Sequence, residues 1–228
     1  MANRKKSESH AAKGRATMEF WESSFREKQE MWGMEPTDAA LVALELFKHN
    51  GSKKILIPGF GYGRNAKVFL DNGLDVTGIE ISETAIRLAK EHYGNNFNIH
   101  HGSVNSMPFD STLYDGIFCY ALLHLLDAKK RSNLITKCYE QLAPNGLMIF
   151  LTISKLDARY GKGKEIHKDT FEITYGVTLF FYDEESAERE FGPYGMIHFA
   201  ERTEPAAPME NKPRQHFCQI LCKKNTSP

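Results

Sequence analysis

Three glycines at alternate positions follow a short apolar run in residues 55–63, Ile-Leu-Ile-Pro-Gly-Phe-Gly-Tyr-Gly. They are Gly59, Gly61 and Gly63. Glycine has no Cβ, so the backbone can turn sharply here and approach a ligand closely. Residues 64–72 have a helical pattern, and the first N–H groups of such a helix point at a polar ligand. A second apolar run, residues 76–81, carries Glu80 near its end, where a carboxylate is placed to accept hydrogen bonds from a ribose diol. This order predicts the first half of a nucleotide-binding α/β domain.

Strand and helix patterns alternate as far as residue 153. The five predicted strands are residues 54–58, 75–81, 98–101, 114–120 and 147–153. The run at 114–120 is almost continuously apolar, which is typical of a strand covered on both faces. Residues 196–201 and 217–222 predict an antiparallel hairpin at the sheet edge. The predicted fold is therefore a Rossmann-like, doubly wound, mostly parallel seven-stranded α/β sheet with an antiparallel last strand and helices on both faces.

The pattern also divides the chain into segments. Residues 1–17 are polar and basic, so we expect a disordered tail there and not a secretory signal. Residues 18–50 predict an N-terminal helical cap, and residues 51–228 the main α/β core. A stretch rich in Gly and Lys at 155–168 predicts an irregular insertion. We expect a substrate cap at about residues 155–180.

Composition restricts the partners and the compartment. Lys and Arg number 29, as do Asp and Glu, so no net charge attracts nucleic acid or an anionic membrane. No apolar run approaches the roughly 20 residues of a membrane helix. The cysteines form no Cys-x-x-Cys pair, which predicts reduced thiols in a cytoplasmic protein and no metal site. We expect a small-molecule partner and a monomer or homodimer.

Four blocks resemble the class I S-adenosylmethionine-dependent methyltransferases, in the order found in that family. They are residues 55–63, 76–82, 114–120 and 142–147. The resemblance implies S-adenosyl-L-methionine as the cofactor. It also implies in-line transfer of its methyl group to a small nucleophile, which could be a thiol, a metalloid oxyanion, or an oxygen or nitrogen acceptor.

Two features are similar to the tellurite-resistance and thiol methyltransferase branch of that family. One is Trp32-Gly33 ahead of the first core helix, where the branch closes a tryptophan loop over the cofactor. The other is Pro58 before the first glycine. Two positions depart from the wider family. Ile57 replaces an acid that often helps to hold the methionine amino group, and Ser103 replaces an aspartate that often contacts adenine.

The resemblance assigns cofactor-binding roles to eleven positions. These are Trp32, Gly59, Phe60, Gly61, Gly63, Glu80, Ile81, Ser103, Val104, Cys119 and Tyr120. An acceptor that carries a proton would need a base. His124 and Tyr120 follow the fourth predicted strand on the cofactor side, so they are the candidate catalytic residues. The alternatives are a structural histidine in a turn and a tyrosine that only lines the pocket.

Two other functions compete with methyl transfer. A nicotinamide-dependent oxidoreductase also uses a glycine loop and a ribose-binding acid. Its pattern needs the third glycine at the position of Arg64, however, whereas this chain has it at Gly63. A non-catalytic module that binds S-adenosylmethionine is the second alternative, and an intact pocket does not exclude it.

Overall fold

The computed structural model describes residues 19–173, 177–209 and 213–225, so the predicted tail at 1–17 lies outside it. The strands are β1 (Lys54–Pro58), β2 (Asp75–Glu80), β3 (Asn98–His101), β4 (Tyr114–Tyr120), β5 (Leu142–Ile153), β6 (Lys164–His167), β7 (Thr170–Glu172), β8 (Thr178–Phe180), β9 (Met196–Glu204) and β10 (Gln215–Lys223). The helices are α1 (19–28), α2 (Asp38–His49), α3 (Ala66–Asp71), α4 (Glu83–Tyr93), α5 (Ala128–Gln141) and α6 (Glu184–Phe191).

The larger sheet has seven strands in the order β3-β2-β1-β4-β5-β10-β9. Strands β1 to β5 pair in parallel, and β10 is antiparallel to both β5 and β9. This arrangement confirms the predicted fold class. Strands β2 and β3 lie on one side of β1, and the chain then crosses to the other side of β1 to form β4 and β5. Ligands of such sheets bind where the winding reverses, at the carboxyl ends of the strands, which here means beside β1 and β4.

Side chains cap the helices that flank this edge. The Thr37 hydroxyl accepts from the N–H of Ala40 (3.2 Å) at the start of α2. Ser82 caps α4 and Asp127 caps α5. Each cap satisfies an N–H group that the helix itself leaves free, so the helices begin at defined residues.

Apolar side chains cover both faces of the sheet, which explains the nearly unbroken apolar strands. Along β4, Phe118 packs into the cluster formed with α2 and α3, beside Phe47 and Phe69. Its neighbours Ile117 and Cys119 point into the opposite cluster, with residues of α5 and α6. The parallel strands are therefore buried on both sides, and the functional groups are confined to their ends.

The insertion after β5 is irregular over residues 155–163, as predicted, but residues 164–167 form strand β6, which the sequence did not predict. Strands β6, β7 and β8 form a separate antiparallel sheet. Phe171, Leu179 and Phe181 pack with Ile153 at the end of β5. All four residues of β6 are exposed, so the apolar alternation that marks a half-buried strand is missing from the sequence there.

The Phe60 ring lies across β2 and requires a glycine beneath it. A Cβ built on Gly78 would lie 2.3 Å from Phe60 Cδ2. Gly78→Ala should therefore destabilise the fold by about 1–3 kcal/mol through overpacking, as measured by urea unfolding. Adding Phe60→Leu should recover part of that loss, since the smaller side chain leaves room. A double variant whose loss equals the sum of the two single losses would contradict this contact.

Candidate cofactor and acceptor site

The predicted site residues lie in sheet order along one edge. Ser103 follows β3, Glu80 ends β2, the glycine loop follows β1 and Tyr120 ends β4. Neighbouring strands are about 4.8 Å apart, so these four positions span roughly 14 Å. An extended ligand laid along this edge would meet Ser103 at one end and Tyr120 at the other.

The glycine loop folds back over β2. The N–H groups of Gly59 and Phe60 both donate to the carbonyl of Ile79, at 2.9 and 3.0 Å. Gly59, Gly61 and Gly63 all have positive φ, at 73°, 59° and 86°, a region that glycine occupies without strain. A Cβ on Gly61 would meet no atom within 4 Å, so the backbone there faces open space. This is the cradle that a close-approaching ligand needs, and a side chain would fill it.

The Glu80 carboxylate holds this loop against β2. Its Oε2 accepts from the N–H of Gly61 at 2.7 Å, and its Oε1 accepts from those of Ile81 and Ser82, both at 2.9 Å. Burial raises the pKa of Glu80 above its usual value, although the three N–H groups favour the charged form. The acid at the end of β2 therefore shapes the loop beside which the ribose is predicted to bind.

Most of the other predicted cofactor residues have side chains that are buried or already hydrogen-bonded within the protein. Ser103 caps a short 3-10 turn, and its hydroxyl accepts from Asn105 N and Nδ2, at 3.3 and 3.1 Å. Val104 is buried directly behind it. The thiol of Cys119 lies in the core, where burial raises its pKa, so only its main chain is left for a ligand. The N–H of Ile81 already donates to Glu80.

Trp32 lies over the glycine loop. Its ring is stacked on that of Tyr62, with 6.2 Å between centroids and 12° between planes. Its N–H donates to the Tyr62 hydroxyl (3.2 Å), and its carbonyl accepts from Arg64 Nη1 (2.9 Å). The Tyr62 hydroxyl in turn donates to the carbonyl of Gly33, at 2.7 Å. Trp32 is 41% exposed although its backbone is fixed, so part of the ring remains available to a ligand.

A carboxylate that the sequence did not single out, Glu22, fastens α1 to the core. Its Oε2 accepts from Ser82 Oγ (2.7 Å) and Thr84 N (3.2 Å), and its Oε1 accepts from Thr84 Oγ1 (2.5 Å). Partial burial alone would raise the pKa of Glu22, but the bonds from Thr84 and Ser82 outweigh it and lower the pKa to about 2. The N-terminal segment is thus attached two residues beyond Glu80.

His124 lies in a short 3-10 turn after β4 and is buried. Its Nδ1 accepts from the N–H of Ile153 at 3.2 Å, which places the ring proton of the neutral side chain on Nε2. Burial lowers the pKa of His124 to about 3. A general base needs a free lone pair directed at the acceptor. The geometry therefore disagrees with the catalytic prediction for His124 and favours the alternative of a structural histidine.

Tyr120 has a partner that is distant in sequence. Its hydroxyl donates to Glu204 Oε2 at 3.3 Å, and Glu204 Oε1 accepts from the N–H of Ala39 at 2.6 Å. Burial raises the pKa of Glu204 to about 6. The sequence does not reveal Glu204 as a site residue, because no pattern of residues relates the end of β9 to the end of β4.

Two surface clefts lie away from this edge. One, of about 330 Å³, is lined by residues at the start of the strands, including Lys54, Asp75 and Asp110. Its carboxylate Asp110 is already bonded to His100 and Tyr114, both at 2.9 Å. The other, of about 640 Å³, lies beside α3 and α4. Within residues 19–173, 177–209 and 213–225, no acidic, His or Cys cluster has a metal-binding arrangement.

Removing the carboxylate at the end of β2 tests the assignment of the ribose position. Glu80→Ala should lower the affinity for S-adenosylhomocysteine at least roughly tenfold, because hydrogen bonds to a charged group contribute about 1.5–3 kcal/mol each. Calorimetry measures this. Asp115→Ala is the matched control, since Asp115 accepts from Lys53 N and Lys54 N at the opposite edge. Unchanged affinity in Glu80→Ala would remove Glu80 from the ribose site.

Replacing Trp32 separates a ligand contact from a packing contact. A cation–π contact with a sulfonium contributes about 0.5–2 kcal/mol, so Trp32→Ala should weaken S-adenosylmethionine about 2- to 30-fold more than uncharged S-adenosylhomocysteine. The melting temperature should change little. The control is Trp21→Ala, because that ring lies 6.3 Å from Trp32 and packs on Phe25. Equal losses for both ligands together with a large drop in melting temperature would make Trp32 a packing residue.

Comparison with known proteins agrees with this geometry. A methyltransferase domain family matches residues 56–150. Thiocyanate methyltransferase 1 of Arabidopsis thaliana is 27% identical over 156 residues, which cover 67% of this chain and 69% of that protein. The ubiquinone biosynthesis O-methyltransferase of Coxiella burnetii is 30% identical over 107 residues, so this chain spans only 44% of its length.

Solved structures share the fold at low sequence identity. The 1,6-didemethyltoxoflavin-N1-methyltransferase of Burkholderia thailandensis, solved with S-adenosylhomocysteine, has a TM-score of 0.71 at 16% identity, covering 96% of this chain and 90% of that one. TehB from Haemophilus influenzae has a TM-score of 0.62 at 16% identity, covering 90% and 67%. The methyltransferase family match over residues 56–150, the sheet order and the glycine loop with its acid together support a class I S-adenosylmethionine-dependent methyltransferase.

Proposed function

We propose that this enzyme methylates a small nucleophile and that sulfur nucleophiles of the thiol and thiocyanate type are its first candidates. The observation that carries the proposal is the ordered edge, with Ser103, Glu80, the glycine loop and Tyr120 in sheet order. The sulfur class is supported by the similarity to thiocyanate methyltransferase 1, which extends over two thirds of the chain. Metalloid oxyanions and oxygen or nitrogen acceptors are the other candidates.

The protein's task in such a reaction is to bind, orient and exclude water. S-adenosylmethionine, when bound, supplies an electrophilic methyl group on a sulfonium. Glu80 and the backbone of the glycine loop would hold the ribose and amino-acid portions, and the Ser103–Val104 backbone the adenine. Trp32, fixed by Tyr62 and Arg64, would cover the methionine end. Positioning of this kind supplies much of the rate of a bimolecular transfer.

The side chains at the acceptor end favour a compact substrate. The guanidinium of Arg64 is 6.0 Å from the Trp32 ring centroid and 5.9 Å from that of Tyr120. A bulky acceptor would have to displace Arg64 from between these rings. Nucleic acid is also disfavoured as a substrate, because the chain has no net charge.

The cellular compartment and the oligomeric state of the protein are still predictions from its sequence. None of the helices in the described ranges is long and apolar enough to cross a bilayer. The cysteines of the described part are all buried and free, which is compatible with a reducing compartment. We keep the cytoplasm and a monomer or homodimer as the expected location and state.

An acceptor panel tests the proposed function. A coupled assay should detect S-adenosylhomocysteine release with a small thiol or thiocyanate, faster than with tellurite, a phenol or an amine. Gly61→Val is the control, because its branched side chain would occupy the cradle and abolish donor binding. Calorimetric binding of S-adenosylhomocysteine without turnover of any acceptor would favour the non-catalytic module. Binding of NAD but not of S-adenosylhomocysteine would overturn the cofactor assignment.

A further inference from the structure

Tyr120 and Glu204 form a polar pair at the acceptor end of the edge. Tyr120 ends β4, next to the glycine loop, and its hydroxyl donates to Glu204 Oε2 at 3.3 Å. Glu204 ends β9, which runs parallel to β4 two strands beyond β5. The Glu204 residue is only 6% exposed. A buried carboxylate at a substrate edge is a common arrangement for a group that exchanges protons.

The surroundings keep this carboxylate in place. The N–H of Ala39, in the first turn of α2, donates to its Oε1 at 2.6 Å. Asp38 accepts from the N–H of Ala206, which fastens the chain just beyond Glu204 to the same helix end. The carboxylate therefore has one oxygen occupied by the backbone and the other directed at Tyr120.

The groups around Glu204 have opposing effects on the pKa of its carboxyl group. Among the described residues, Asp38 from α2, Arg64 from the segment before α3 and Tyr120 from β4 face it. On the neighbouring strand β10, His216 Nδ1 lies 3.5 Å from Thr203 Oγ1. Burial and Asp38 disfavour the carboxylate form, whereas the Ala39 N–H, Tyr120 and Arg64 favour it. The net result is a raised pKa, at about 6, which suits a proton acceptor working near neutral pH.

We propose that Tyr120 and Glu204 form a proton relay that takes up the proton of a protic methyl acceptor. This inference rests on the proposed function and adds the residues that would select between acceptor types. Tyr120 is the catalytic residue that touches the acceptor. Glu204 acts through it and is a positioning and proton-storing residue.

An acceptor X–H loses its proton as it takes up the methyl group. A bond forms from X to the methyl carbon, and the carbon–sulfur bond of the donor breaks with its electron pair staying on sulfur. The proton of X–H moves to the Tyr120 oxygen, while the original Tyr120 proton moves to Glu204 Oε2. Glu204 ends protonated and returns that proton to water before the next turnover. Thiocyanate is an anion without a proton to lose, so its methylation needs no such relay.

The relay is tested by comparing a protic and an aprotic sulfur acceptor. Initial rates with 2-mercaptoethanol and with thiocyanate are measured for the wild type, Tyr120→Phe and Glu204→Gln between pH 5 and 8. The ratio of thiol to thiocyanate turnover should fall about 100-fold in both variants. In the wild type, that ratio should rise as pH passes through 6. Glu201→Gln, an exposed acid on the same strand, is the control and should leave the ratio unchanged.

A second measurement does not depend on any acceptor. Carboxyl titration by NMR of protein labelled with ¹³C-glutamate should give one group with a pKa near 6 that is missing in Glu204→Gln. Tyr120→Phe should raise that pKa, because the carboxylate loses a hydrogen-bond donor. A Glu204 that titrates in the ordinary carboxyl range, or that is insensitive to Tyr120→Phe, would overturn the relay.

Failure of the relay and failure of the proposed function would give different experimental results. Wild-type protein that binds S-adenosylhomocysteine but methylates neither probe would contradict the sulfur-acceptor proposal, and the NMR titration would then decide the relay alone. Equal losses with both acceptors, together with a lower melting temperature in Glu204→Gln, would assign Glu204 to capping α2 and overturn the relay. An unchanged ratio in both variants would overturn it as well.

Discussion

The glycine loop keeps its shape because one buried carboxylate accepts three backbone N–H groups. Glu80 bonds to Gly61 across the loop and to Ile81 and Ser82 at its own strand end. The loop has positive φ at three glycines, and the Gly61 bond to Glu80 fixes it together with the Gly59 and Phe60 bonds to the Ile79 carbonyl. Ser82, held in the same way, then caps α4. A single side chain thereby connects the loop after β1, the end of β2 and the start of α4 at the predicted cofactor position.

The N-terminal segment depends on the same region. Glu22 bonds to Ser82 and Thr84, so α1 is attached directly beyond Glu80. Trp32 is fixed from the other side of the glycine loop, through the Tyr62 hydroxyl and Arg64. The predicted cover over the cofactor position is therefore held by hydrogen bonds at its two ends and by ring contacts between them. Ligand binding and docking of this segment should be coupled, because both use the loop that Glu80 holds.

The proposed acceptor end is assembled from parts of the chain that are far apart in sequence. Tyr120 and Glu204 meet because β10 and β9 extend the sheet beyond β5 and bring the end of β9 to the same edge. Arg64, from the segment before α3, lies near the rings of both Trp32 and Tyr120. The predicted cofactor half of the site thus comes from consecutive strand–helix units, whereas the proposed acceptor half comes from long-range packing.

The sequence by itself determined the sheet, the glycine loop and Glu80, because these depend on local patterns: apolar runs of strand length, glycines where φ is positive and an acid at a strand end. Only the tertiary structure decided the rest. The Nδ1 atom of His124 accepts the N–H of Ile153, and the exposed strand β6 lacks the apolar alternation that marks a strand. Glu22 and Glu204 bond to partners that are 60 or more residues away in the sequence. Hydrogen bonds and burial between distant segments leave no periodic signal in a single sequence, so no local pattern could have revealed them.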